Sequence, residues 1–214
     1  MTASESTTTI LLATGNPAKQ RALRNLLEGL PLKPVTPDYL GLSADPEETA
    51  ETHEAIAVEK VAEWSRLAGM LAIASDGGLV VPSLGANWES RYTHRFAGPS
   101  ADDDERRRRL LQLLENADGG QREAIWVEAL AIAESGRPLK SWALTGGQGL
   151  VAREAEPGPH GPGFWVFPLW YFPQFSKYYN QLSDGEKESL GDHWARLKGL
   201  VQEYFVKEFS CPSN

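Results

Sequence analysis

Apolar positions recur with two periods along the chain, and the places where one period gives way to the other mark out its elements. Residues 8–13 are a β-branched and aliphatic run, followed by Thr14-Gly15-Asn16-Pro17, whose last two residues suit an N-cap and a first helical position. This pattern predicts a strand, a tight turn and a helix. The helix is expected over 17–30, because Leu23, Leu26, Leu27 and Leu30 fall at helical spacing while Lys19, Arg21, Arg24 and Glu28 fill the polar positions. A second helix is predicted to open at Asp45-Pro46-Glu47-Glu48, an N-cap with proline at the first position and an acid three residues on. It should end near Gly69 after burying Ile56, Ala57, Val61, Trp64, Leu67 and Ala68.

Residues 70–74 form a continuous apolar run of buried-strand length, expected to stop at Ser75-Asp76-Gly77-Gly78. A capped helix is predicted over 100–117, where Asp102, Asp103, Asp104 and Glu105 each stand four residues ahead of an arginine, Arg106 to Arg109, so the charge block neutralises itself. Residues 124–133 and 139–145, separated by Glu134-Ser135-Gly136-Arg137-Pro138, read as a hairpin of half-buried strands. Beyond residue 146 glycine and proline give way to rings, with nine of the chain's 20 Phe, Trp and Tyr residues falling between Phe164 and Tyr179. A surface loop cannot carry that much ring area, so most of it should build core or a subunit face. The chain closes with a helix opened by the capping box Ser183 to Glu186 and carrying Leu190, Trp194, Leu197, Val201 and Tyr204 on one side. The order β-α-α-β-α-β-β predicts a mixed α/β fold in one domain over 1–214, with 1–8 and 207–214 as flexible ends.

Composition narrows the function. With 21 basic against 29 acidic side chains in 214 residues the net charge is −8, which argues against a broad nucleic-acid-binding surface. No apolar run approaches the ~20 residues that span a bilayer, and nothing reads as a secretory signal, so no membrane partner and a cytoplasmic location are expected. The single cysteine, Cys211, excludes a disulfide framework and a cysteine-based zinc cluster.

Five places can carry chemistry. The turn Thr14-Gly15-Asn16-Pro17-Ala18-Lys19 brings backbone N–H groups and a positive dipole end beside a hydroxyl, an amide and a lysine, which are parts of a phosphate cradle. It lacks the paired glycines of a P-loop and also fits an ordinary capped helix. Lys60 projects from the apolar side of its helix and either meets an anion or snorkels to the rim. Asp76, at the expected end of a buried strand, can hold a metal or activate water, or it can simply form a turn. Asp45, Glu47 and Glu48 are companions for a divalent cation or plain helix caps. Arg91 and Arg95 lie in a loop where a guanidinium can grip a phosphate. His53, His94, His160 and His193 show no metal-ligand spacing and support no Ser-His-Asp assignment.

Taken in order, these segments resemble the inosine-triphosphate pyrophosphatase family. The opening Ala13-Thr14-Gly15-Asn16-Pro17-Ala18-Lys19 matches its phosphate loop, and Glu47-Glu48-Thr49 with Lys60 matches the next stretch, with Ala55 and Ile56 where the family has Glu-Asn. Asp76-Gly77-Gly78-Leu79 matches its Asp-Asp-Ser-Gly-Leu segment, Ser75 replacing the first acid and Gly77 the serine. Thr93 to Gly98 matches Ser-x-Arg-Tyr-x-Gly and places Arg95 on the family's arginine. The resemblance runs from about residue 9 to 201 and is densest before Gly98. Where the family reads the base with Phe-Gly-Tyr-Asp-Pro, this chain has Pro162-Gly163-Phe164-Trp165-Val166. Lys187 matches a family lysine, and Gly191-Asp192-His193 replaces Ser-His-Arg.

The resemblance implies an elongated central sheet flanked by helices, with two lobes and a crevice between them. It implies Mg2+-dependent hydrolysis of a nucleoside triphosphate, such as a non-standard purine or another base, to monophosphate and pyrophosphate by a homodimer. Asp76 would be catalytic and, with Glu47, would hold the metal. Thr14, Gly15, Asn16, Lys19, Lys60, Gly77, Arg95 and Lys187 would bind the phosphates and the rest of the substrate. Phe164, Trp165 and His193 would line the base pocket. The changed base-reading segments leave a second expectation, a catalytically impaired nucleotide-binding sensor or partner protein.

Overall fold

The computed structural model describes residues 7–44, 46, 49–98, 100–160 and 164–210, with the backbone alone at Ser210. Its elements are β1 (Thr8–Leu12), α1 (Pro17–Leu26), β2 (Leu32–Val35), α2 (His53–Ala68), β3 (Leu71–Val80), α3 (Asp103–Leu113), β4 (Glu123–Glu134), β5 (Arg137–Val151), β6 (Trp170–Phe172), β7 (Lys177–Tyr178), α4 (Asp184–Ser189) and α5 (His193–Ser210). The strands form one seven-stranded sheet in the order β2-β1-β3-β4-β5-β6-β7. β1 runs parallel to both β2 and β3, whereas β6 runs antiparallel to both β5 and β7. The sheet is therefore mixed, as the order of elements predicts. β4 and β5 are joined by Ser135 and Gly136, both at positive φ, which makes a two-residue hairpin turn of the type whose twist suits the flanking strands.

The chain divides into two compact units. One holds 1–76, 129–143 and 194–214, and the other holds 77–128 and 144–193. In the first, Leu11, Ala13, Val35, Ala57, Val61, Trp64, Ala72 and Ala74 share a core with the alanines at 129, 131 and 133 of β4. Small residues on β4 let α2 approach the sheet closely with Trp64 as the large filler. In the second, Leu79, Val81, Leu110, Leu114 and Trp126 pack against Trp165, Phe167, Trp170, Phe172 and Tyr179. Most of the aromatic stretch is thus core. Arg122 pins this unit from inside, donating to the carbonyls of Val151 and Leu114 at 2.6 Å and of Ala152 at 2.8 Å.

Several elements differ from expectation. α1 stops at Leu26, where the chain turns through Gly29 at φ 84. α2 opens at His53, capped by Thr52, and not at 45–48; Asp45, Glu47 and Glu48 lie outside the described residues. β3 does not end at Ser75 but continues through Asp76, Gly77 and Gly78 to Val80. α3 is confined to Asp103–Leu113, capped by Asp102. The single closing helix is two: α4 keeps the Ser183/Glu186 capping box, and Gly191 at φ 67 breaks the run before α5. α5 also continues to Ser210, into the end expected to be flexible, because Phe205 is buried and Phe209 stacks on it at 5.8 Å. β2, β6 and β7, of four, three and two residues, carry too little pattern to be read.

Candidate active site

The parallel register of β1 and β3 builds the site in the first unit. Leu12 lies opposite Ile73 and Ala13 N–H donates to the Ile73 carbonyl at 2.8 Å, so β1 ends beside β3 three residues before Asp76. Ala13, Thr14, Gly15 and Asn16 make the whole connection from β1 to α1. Asn16 is the N-cap, its Oδ1 accepting from the N–H groups of Ala18 at 2.8 Å and Lys19 at 3.3 Å. Its own N–H donates to Thr14 Oγ1 at 3.2 Å, and Gln20 Nε2 donates to the Thr14 carbonyl at 2.9 Å. The helix N-terminus is thus capped from within, and the charge that an anion would meet here comes from side chains. A β-carbon on Gly15 would meet nothing within 4 Å, so the turn is open above that residue.

Asp76 is the focus of that charge. Its residue is 6% exposed, yet both carboxylate oxygens are engaged: Lys60 Nζ donates to Oδ1 at 2.8 Å, and His53 Nδ1 lies 2.6 Å from Oδ2. An ionised carboxylate only accepts, so His53 donates from Nδ1–H. Lys19 Nζ reaches the neighbouring Ser75 carbonyl at 3.2 Å. Burial pushes the Asp76 carboxyl up; the His53 hydrogen bond, the nearby charges of Lys19 and Lys60 and the Lys60 hydrogen bond outweigh it and hold the group well below the usual carboxylate range. Asp76 is therefore an anion at any physiological pH. It can orient a water or share an ion, and it holds a proton poorly. Side chains alternate along a strand, so Ser75, whose buried Oγ has no hydrogen-bond partner among the described residues, points to the opposite face and does not join Asp76.

Lys19, Lys60 and Asp76 are thus brought together, with Thr14, Gly15 and Asn16 beside them. The remaining residues singled out from sequence belong to the second unit or lie outside the described residues. Gly77 is held against a buried carboxylate: a β-carbon there would fall 2.2 Å from Glu128 Oε2, which accepts from Trp126 Nε1 at 2.7 Å. Arg95 lies exposed in the turn after Tyr92. That loop is anchored by Thr93, whose Oγ1 accepts from Leu79 N–H at 3.1 Å and donates to the Ser90 carbonyl at 2.6 Å. Lys187 sits 5.0 Å above the Tyr179 ring. Trp165 and His193 are sealed, 2% and 0% exposed, with His193 stacked against Trp126 and Tyr179. Phe164 keeps part of its surface open and stacks on Phe167 at 4.7 Å. Glu47, the second expected metal ligand, lies outside the described residues, among which no three His, Cys, Asp or Glu side chains converge on a metal site.

The chain matches the Ham1 family model over residues 10–201. It belongs to the Ham1 family. It is 35% identical over 198 residues to the dITP/XTP pyrophosphatase of Yersinia pseudotuberculosis serotype I, covering 90% of this chain and 95% of the relative. It is 32% identical over 199 residues to the dITP/XTP pyrophosphatase of Escherichia coli O157:H7, with the same coverage of the two chains. The solved structure of a HAM1 protein from Coxiella burnetii superposes with a TM-score of 0.74 at 28% identity, covering 92% of this chain and 99% of that one. The mixed α/β sheet is thus the fold of the Ham1 family.

The sequence pattern does not single out one residue of this candidate site. Spacing to the other histidines gives His53 no role. Helical phase holds the missing signal: His53 precedes Lys60 by two turns of α2, so the two share a face, and an anion is one of the two partners expected for Lys60.

Proposed function

We propose that this chain hydrolyses a nucleoside triphosphate to the monophosphate and pyrophosphate, and that non-standard purine triphosphates of the kind named for its relatives are among its substrates. The observation that carries the proposal is the buried, ionised Asp76 clamped between Lys60 and His53 with Lys19 alongside. The two lysines offer positive charge to a polyanion, and the carboxylate offers an acceptor to a water. In the reaction a water oxygen bonds to the α-phosphorus and the α–β anhydride bond breaks, releasing pyrophosphate and one proton. Asp76 orients the water through a carboxylate lone pair, while Lys19 and Lys60 stabilise the charge that builds on the phosphoryl oxygens.

A magnesium ion suits the donor set. Among the described residues each Asp76 oxygen accepts one hydrogen bond, which leaves it a second lone pair, and magnesium asks for one or two carboxylates completed by substrate oxygens and waters. Asp76 and Glu47 would hold it, and its chemistry would be to neutralise the triphosphate. The deciding experiment measures pyrophosphate release with magnesium over inosine, xanthosine, standard purine and pyrimidine triphosphates, beside Asp76→Asn. Release that the variant reduces about 100-fold or more supports the reading. Tight binding by calorimetry with no product over hours replaces it with a nucleotide sensor, and chelation that leaves the rate unchanged removes the metal.

A further inference from the structure

We propose that His53 is a positioning residue for the reaction: by holding one oxygen of Asp76 while Lys60 holds the other, it fixes the plane in which that carboxylate meets the attacking water. The proposal rests on the hydrolytic reading of the site. Rotation of a carboxylate about its Cβ–Cγ bond is soft, with broad and roughly two-fold preferences. One donor anchors an oxygen and leaves the plane free to swing about it. Here the donors sit on different oxygens, at 2.8 Å on Oδ1 and 2.6 Å on Oδ2, and both come from α2.

The imidazole is itself fixed. His53 is the first residue of α2 and is buried, and the turn that carries it is locked by Thr52, whose Oγ1 accepts from Ala55 N–H at 3.1 Å and whose carbonyl accepts from Ile56 N–H at 3.0 Å. The His53 ring therefore starts from a fixed backbone, and Lys60 reaches Asp76 from the same helix. The lone pairs that remain on Asp76 are held pointing in set directions, as a water needs if it is to approach phosphorus in line. Misplacing a reacting group by about 1 Å is enough to cost on the order of 100-fold in rate. A histidine that merely filled the core would influence folding alone.

Two substitutions separate these roles. His53→Phe keeps a buried ring and removes the donor, and His53→Asn restores an N–H close to the place of Nδ1. Steady-state pyrophosphate release should show kcat reduced roughly 10–100-fold in His53→Phe with KM within about threefold, and most of that loss recovered in His53→Asn. A His53→Phe enzyme within about threefold of the parent kcat, or a His53→Asn enzyme as impaired as His53→Phe, overturns the proposal. Proton NMR of the 15N-histidine-labelled parent supplies a test that needs neither turnover nor a folded variant. The Nδ1–H of His53 should resonate far downfield and exchange slowly, and absence of that signal overturns the proposal whatever the variants do. A parent that releases no pyrophosphate from any triphosphate is a different failure: it overturns the hydrolytic reading, and the role of His53 falls with it.

Discussion

Burial alone would drive the Asp76 carboxyl toward its neutral form, and the His53 hydrogen bond with the charges of Lys19 and Lys60 reverses that outcome. The sign has a consequence for stability. A carboxyl whose folded value is depressed contributes stability that is fully present above its ordinary value of about 4 and is lost as pH falls through the folded value. Denaturant titrations should therefore show the parent exceeding Asp76→Asn most at pH 7, with the gap narrowing below about pH 4. A gap that widened on acidification would mean that burial wins. Lys60→Gln tests the same balance from the other side. It should lower kcat/KM roughly 10–100-fold and shift the acid limb of the pH–rate profile to higher pH, because removing a cation raises the value of the carboxyl it faced. Lys19, Lys60 and Asp76 were legible because each is an ionisable group at a place where local pattern demands an apolar residue or a turn. His53 was not, because its partner lies 23 residues away on a different element, a contact that local periodicity does not encode.

The same limit appears at the level of elements, where β3 is the clearest case. Two glycines after an acid read as a turn, and the strand runs straight through them. Their purpose is space and not bending: a β-carbon on Gly78 would lie 1.9 Å from the Ser90 carbonyl oxygen, and one on Gly77 would lie 2.2 Å from Glu128 Oε2 and 2.9 Å from the Val127 carbonyl. Tertiary neighbours impose that requirement, so it is invisible to turn propensity. Gly78→Ala and Gly77→Ala should each destabilise the protein by about 3 kcal/mol, because both meet backbone that cannot yield cheaply and the second also presses on the Glu128 carboxylate. Chemical denaturation checks both, and equal stability in either variant would mean that the strand relaxes around the new methyl. The start at Ser183 is legible because its capping box is local, whereas the helix expected from residue 100 opens only at Asp102. The start of α2 was misread because two capping signals compete there, and Thr52, which takes Ala55 N–H, prevails over the proline-bearing run at 45–48.

For the whole molecule, the puzzle is that a chain of net charge −8 is assigned a polyanionic substrate. Screening resolves it. At physiological ionic strength a surface charge farther away than about 8 Å contributes little, so the summed field matters less than the two lysines beside Asp76. Binding then rests on a few local cations and should stabilise the fold by simple linkage. At 100 times its Kd a ligand adds about 2.7 kcal/mol, which for a chain of this size raises Tm by roughly 5–10 °C. A non-hydrolysable nucleoside triphosphate with magnesium should produce that shift, and Lys60→Gln should reduce it at the same ligand concentration. Inorganic tripolyphosphate divides the remaining question. It offers the same anionic chain without a base, so at equal concentration it should shift Tm nearly as far as the nucleotide if recognition is dominated by phosphate, as the sealing of Trp165 and His193 favours. A nucleotide shift several degrees larger would mean that a base is read by surfaces other than those two, with the open face of Phe164 the first to mutate.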